Sequence, residues 1–335
     1  MDKYTVYVGI DISAKTAHIH WVQPLTQHKG KLEITQNKSG YKQLVKTLRK
    51  VCYETRQTHI VMEATGNYWL SLALFVHDAG FAVSVINPVQ GKRFAQMTLR
   101  RAKTDPIDAQ MLCDYAHTIQ PKLWTPPPDI YYDLQQRLAL RDDLVTTRTQ
   151  FRGRIHAMKH HPRSKPHLRD ILQQQILLLN THIKQLEAEI RQLLNSDHQW
   201  QQATQHLLSI PGIGIITATW ILTTTHCFAR CETPDQAAAY AGLVPHPNQS
   251  GQSQKKGKIG GGHKTLRSML YLAAGSALQH NPILKPFYQK LVKRGKIKQV
   301  ARIAVARKLM HIAWACVVKQ CDFDPNFANK SKLMA

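Results

Sequence analysis

The sequence is short of acid. Its 335 residues hold 21 Asp and Glu against 45 Lys and Arg, giving a formal charge of +24 and a pI near 9.9. Such an imbalance excludes an acidic, self-solvating chain and calls for a polyanionic partner, nucleic acid first among them. Long apolar runs are also missing. None approaches the roughly 18 residues of a membrane span, so no membrane partner is expected. The N-terminus enters a strand directly, without the apolar core of a signal peptide. The six cysteines (Cys52, Cys113, Cys227, Cys231, Cys316 and Cys321) include no CxxC pair, and they read as reduced, mostly buried thiols of a cytoplasmic protein. His226, Cys227 and Cys231 lie close together, but nothing nearby completes a zinc set. There is no internal repeat.

What remains is an ordinary soluble composition, 43% hydrophobic and 20% charged, at a length suited to two or three domains. The positive charge is uneven. Residues 131–335 hold 29 Lys and Arg against 11 Asp and Glu, and the stretch after Ser250 sets 17 basic residues against Asp322 and Asp324.

The first strand, YTVYVGIDI (4–12), alternates its faces and ends on Asp11. A carboxylate there is costly unless it caps a turn with Ser13, pairs, or binds a cation. Residues 17–23 and 31–36 read as two further strands. Asn37–Gly40 punctuates, and residues 41–51 have helical spacing. THIVME (58–63) is a buried-type strand ending in Glu63. A helix over 69–79, a strand over 81–87, a helix opened by Pro88 and another from Asp105 follow. This order, β-β-β-α-β-α-β-α, is that of an RNase H-like (RuvC-like) α/β domain, expected over residues 1–125. Pro121–Pro128 reads as a stiff linker. Residues 126–204 are expected to form two long helices, broken at His160-His161-Pro162 and packed as a hairpin or coiled coil. Residues 205–325 read as a mostly α C-terminal domain, and 326–335 as a tail, with disorder expected after Cys321.

Four acids stand out: Asp11, Glu63, Asp105 and Asp108. On that element order the ends of the first and fourth strands are neighbours. Asp105 and Asp108, three residues apart, share one side of a helix start. Converging carboxylates require cations, and oxygen-only ligands suit Mg²⁺ or Mn²⁺. Such ions stabilise the attacking and leaving oxygens of phosphoryl transfer. The same DPID run also fits a plain helix start, with Asp105 as N-cap, Pro106 at N1 and Asp108 at N3.

Arg100, Arg101 and Lys103 make a basic patch beside these acids. In LLSIPGIGIITATWIL (207–222), Gly212 and Gly214 sit in a helix-hairpin-helix-like turn, where backbone N–H groups can approach a phosphate. The turn equally fits two packed helices with no ligand. Ser250 lies in a glycine-flanked stretch read as a flexible basic loop with Lys255, Lys256, Lys258, Lys264 and Arg267. It is either a nucleophile toward phosphodiesters or a hydrogen-bond donor in a phosphate grip. The loop is not a Walker A motif, because its spacing is wrong and Ile259 stands where Ser or Thr is needed.

GIDIS (9–13), VMEATGNYW (61–69), AKTDPIDAQML (102–112), LLSIPGIG (207–214), YAGLVPHPNQSGQS (240–253) and GGGHKTLRSMLYLAA (260–274) together resemble the DEDD insertion-sequence transposases related to Piv-type invertases, the bridge-RNA-guided recombinases. The resemblance covers nearly the whole chain. It implies a site-specific recombinase that moves its own element, with Asp11, Glu63, Asp105 and Asp108 as Mg²⁺ or Mn²⁺ ligands. It implies that Ser250 is the nucleophile forming a phosphoserine link to DNA, with Ser253 as a near neighbour. It further implies donor and target DNA, a noncoding guide RNA, and a homo-oligomer (dimer or tetramer) combining one subunit's acids with another's serine. Two rivals fit parts of the sequence: a Holliday-junction-type metal-dependent nuclease and a nucleic-acid-binding module without chemistry.

Overall fold

The computed structural model describes residues 4–98, 104–229, 231–250 and 253–326, with 246–250 and 253–256 described by backbone alone. The chain divides into two compact units, Met1–Pro126 and Pro127–Ala335. The first is a mixed α/β unit and the second is almost entirely helical.

The first unit is built on five strands: β1 (Val6–Ile12), β2 (Thr16–Gln23), β3 (His28–Thr35), β4 (Thr58–Glu63) and β5 (Ala82–Ile86). They lie in the order β3-β2-β1-β4-β5. The first three pair antiparallel, and β4 and β5 continue parallel to β1. β1 is central and buried on both faces, which accounts for its nearly continuous apolar sequence. Val8 and Ile10 pack with Leu44 and Leu48 of α1 (Lys38–Val51) and Leu72 and Val76 of α2 (Trp69–Asp78). Tyr7 points to the other face, among Phe94 of α3 (Pro88–Met97) and Leu112, Cys113 and Tyr115 of α4 (Asp105–Ile119). α1 starts earlier than its apolar spacing indicates. The Asn37 side chain accepts from the Gly40 N–H at 2.9 Å, so Asn37–Gly40 is a cap and first turn.

Gly9 sets the depth of α4. A Cβ there would stand 2.2 Å from the Ala109 carbonyl oxygen and 2.2 Å from the Cys113 nitrogen. The helix backbone therefore rests directly on the strand, and Cys113 Sγ donates to the Tyr7 carbonyl at 3.2 Å. Gly9→Ala is expected to push α4 outward at a cost of about 1–3 kcal/mol, readable as a lower denaturant midpoint.

The linker begins inside this unit. The Trp124 N–H donates to the Val83 carbonyl at 2.7 Å, and the Trp124 ring meets Trp69 edge-on at 5.6 Å.

In the second unit, α5 (Asp129–Lys159) and α6 (Pro166–Ser196) run antiparallel, each about 46 Å long at 1.5 Å per residue. Arg137–Glu189 at 2.9 Å, Arg141–Glu187 at 2.8 Å and Arg148–Asn180 at 2.9 Å fix their register. Their base is part of the helical core of this unit. Leu134, Leu138, Ile190 and Leu194 belong to the same core as α7 (His198–Leu208), α8 (Ile215–Thr225), α9 (Pro234–Tyr240), α10 (Lys264–His280), α11 (Leu284–Lys293) and α12 (Lys298–Val318).

Two expectations are corrected here. The stretch around Ser250 is not a loop: β6 (Pro245–Ser250) and β7 (Ser253–Ile259) pair antiparallel, with an irregularity between His246 and Asn248. Its polar, glycine-rich sequence lacks the β-branched alternation that betrays a strand. The chain just after Cys321 is also ordered. Asp322 meets His206 at 2.8 Å, and the Phe323 N–H donates to Ser209 Oγ while its ring packs on the helical core. Two phenylalanines within a polar tail are easily passed over in sequence. Among the described residues, no helix is long and apolar enough to cross a membrane.

Candidate active site

β1 and β4 hold parallel register up to Ile10↔Met62. Asp11 and Glu63 come next on each strand, so they leave the sheet side by side. By alternation both fall on the Tyr7 face, the one that α4 covers. Gly9 keeps α4 close, and the helix begins with Asp105 and Asp108 in its first turn. The plain helix-start reading is corrected in detail. Thr104, extended at φ −145° and ψ 150°, is the N-cap, and its carbonyl accepts from the N–H groups of Ile107 at 2.8 Å and Asp108 at 2.9 Å. Asp105 is therefore the first helical residue and not the cap.

The four carboxylates are electrostatically coupled. Burial raises the Asp11 pKa from 3.8 to about 6, and the charges of Asp108, Asp105 and Glu63 push it the same way. His18, which sequence reading missed, opposes them. It is the register partner of Asp11 on β2, and its Nε2 lies 3.7 Å from Asp105 Oδ2. The alternating histidines of AHIHW were the available signal, but only the β1–β2 register assigns one of them to Asp11. Thr65 Oγ1 donates to Glu63 Oε1 at 3.2 Å. Across from it, a Cβ on Gly91 of α3 would stand 3.0 Å from Glu63 Oε2. Gly91→Ala is expected to cost about tenfold in turnover by shifting that carboxylate, with stability unchanged or slightly higher. Paired kinetics and melting curves check this.

Among the described residues, no three His, Cys, Asp or Glu side chains are drawn tightly around one point. The acids are thus neighbours rather than a closed cage. Asp105 is 59% exposed and faces His18. Four neighbouring carboxylates, three of which raise the proton affinity of Asp11, all offer oxygen and match the donor set of a hard divalent cation. Around the His226–Cys231 group the described contacts are those of packing. His226 stacks on Tyr131 at 4.4 Å, and burial pushes the Cys227 thiol up to about 12.

Ser250 ends β6 and is the register partner of Ser253 on β7. Lys255 and Lys256 follow along β7, and Lys258 is exposed near its end. Lys264 is exposed in the first turn of α10, where a cation opposes the helix dipole unless an anion is near. Arg267 is committed to the backbone. One of its guanidinium nitrogens donates to the carbonyls of Gly261 at 2.7 Å and Gly242 at 3.4 Å. Gly212, at φ +107° and pressed against Ala277, is required by its backbone conformation and by close packing. Gly214 precedes α8 as an exposed N-cap without a side chain. Arg100, Arg101 and Lys103 lie outside the described residues.

Known families agree with both units. A model of the IS110 DEDD transposase domain matches residues 8–159. A second, described as the IS116/IS110/IS902 transposase family, matches residues 204–289. The pilin gene-inverting protein of Moraxella bovis is 30% identical over 95% of this chain and 97% of its own length. Its counterpart in Moraxella lacunata is equally similar. The IS1111A transposase of Coxiella burnetii is 24% identical over 78% of each chain. With both halves matched in order and a relative at 30% identity over nearly its whole length, the chain belongs to the IS110 family of transposases, enzymes that recombine DNA.

Proposed function

We propose that this transposase inserts and excises its own element by metal-assisted serine transesterification. The observation that carries the reading is the coupled acid cluster, in which Asp11 is held near pKa 6 by burial and three carboxylate neighbours. The sheet order, three antiparallel strands followed by two parallel ones, supports an RNase H-like domain as its scaffold. Asp11, Glu63, Asp105 and Asp108 hold Mg²⁺ (or Mn²⁺), which supplies charge neutralisation at the reacting phosphate. Ser250 is the nucleophile: its Oγ–P bond forms as one phosphate–deoxyribose bond breaks. Lys255, Lys256, Lys258 and Lys264 bind backbone phosphate around it, and Arg100, Arg101 and Lys103 do so beside the acids. The exposed Gly214 N-cap offers N–H groups to a further phosphate. The enzyme works as a homo-oligomer on donor and target DNA, with a noncoding RNA as guide.

Excision from a plasmid carrying the gene with its native flanks tests the core of this. Chelation should abolish excision, and Mg²⁺ or Mn²⁺ should restore it. Full activity after exhaustive chelation would refute the metal. Sequencing the RNA that copurifies should give one discrete species encoded beside the gene.

A further inference from the structure

The first unit carries a second charged surface on the sheet face opposite the carboxylates. α1 has five Lys and Arg in 14 residues (Lys38, Lys42, Lys46, Arg49 and Lys50) and no acid. All five are exposed, while Leu44, Val45 and Leu48 bury the inner side of the helix. Spacing of four puts the four lysines in one row, and like charges so placed destabilise a helix. A merely solvated face gains by alternating its signs. Among the described residues, none of the five forms an ion pair. Asp78 of α2, at the edge of the groove that Lys42, Lys46, Arg49 and Lys50 line, is 78% exposed and turns to His77 at 3.5 Å. The row runs about 18 Å at 1.5 Å per residue, the length of about five phosphates on one strand of a duplex.

We infer that this row docks the sugar–phosphate backbone of duplex DNA flanking the reaction site. Charge complementarity asks for a polyanion, and DNA is the one this family acts on. α1 covers the Val8 and Ile10 face, whereas Asp11 and Glu63 leave the sheet on the Tyr7 face. DNA held on α1 is therefore not the strand whose phosphate meets the acids. The inference is independent of both the metal and the serine.

Fluorescence anisotropy of the full chain in chelator tests it, with a labelled duplex of about 30 bp and a single-stranded RNA of equal length, titrated with salt. Lys42→Gln/Lys46→Gln/Lys50→Gln removes three contacts. It should lower the salt slope on duplex by about 2.7, at about 0.9 per contact, and weaken low-salt binding at least about tenfold. Its melting temperature should equal or exceed that of the unaltered chain, because a repulsive row is gone. A slope on duplex that falls by about one or less overturns the inference. So does a loss confined to the RNA, which would reassign the row to a different partner.

Discussion

Asp11→Asn is expected to lower recombination at least about 10³-fold and, at neutral pH, to make the metal-free protein more stable. The two effects have one cause. In the fold the Asp11 carboxyl titrates near 6 instead of 3.8 because burial and three acidic neighbours disfavour its charge. A raised carboxyl pKa means the folded chain binds the proton more tightly than the unfolded one. Its contribution is fully present below about 3.8 and is lost as pH rises through about 6. At pH 7 the ionised group is a liability. The displacement corresponds to at most about 3 kcal/mol, and partial solvent access reduces the expected gain to about 1 kcal/mol. Melting curves from pH 5 to pH 8 (about three decades of proton activity) should show the unaltered chain losing stability toward higher pH and the variant losing less. Adding Mg²⁺ should raise the melting temperature of the unaltered chain by occupying the folded state, and raise that of Asp11→Asn much less. A buried structural carboxylate would behave in the opposite way, with the substitution destabilising and Mg²⁺ without effect.

Ser250→Ala should abolish strand exchange while leaving duplex binding and the melting temperature near those of the unaltered enzyme. Removing a nucleophile costs several powers of ten, on the order of 10⁴ to 10⁶, whereas in the proposed arrangement binding rests on the surrounding cations. Ser253→Ala is the internal control. The two serines are register partners on β6 and β7, so the control lies at the same place in the hairpin. Only one should remove the chemistry. Loss in both, with unchanged folding, would assign the pair a shared role in positioning phosphate.

Most of the sheet was legible because its strands obey alternation and its turns carry Asn, Gly and Pro. Asp11 was legible as an anomaly, a charge closing a buried strand. Other features were not, and each for a physical reason. His18 reaches the acids through strand register, which alternation alone leaves free. The closeness of α4 depends on Gly9, and a glycine within a strand does not announce what lies against it. β6 and β7 are made of polar residues whose strand character comes from pairing. Asp105 looked like a cap because Thr104, the actual cap, is equally suited to that position. Arg267 read as a surface cation, yet its guanidinium is committed to the Gly242 and Gly261 carbonyls.

The proposed central step is the attack of Ser250 on phosphate beside acids that would hold a metal. The most direct measurement is mass spectrometry of peptides from enzyme trapped on its DNA in Mg²⁺ and then digested with nuclease and protease. A nucleotide remnant on Ser250, absent in chelator and absent in Asp11→Asn, is the predicted result. Cleaved DNA with no adduct on any serine would contradict it and point to water as the nucleophile.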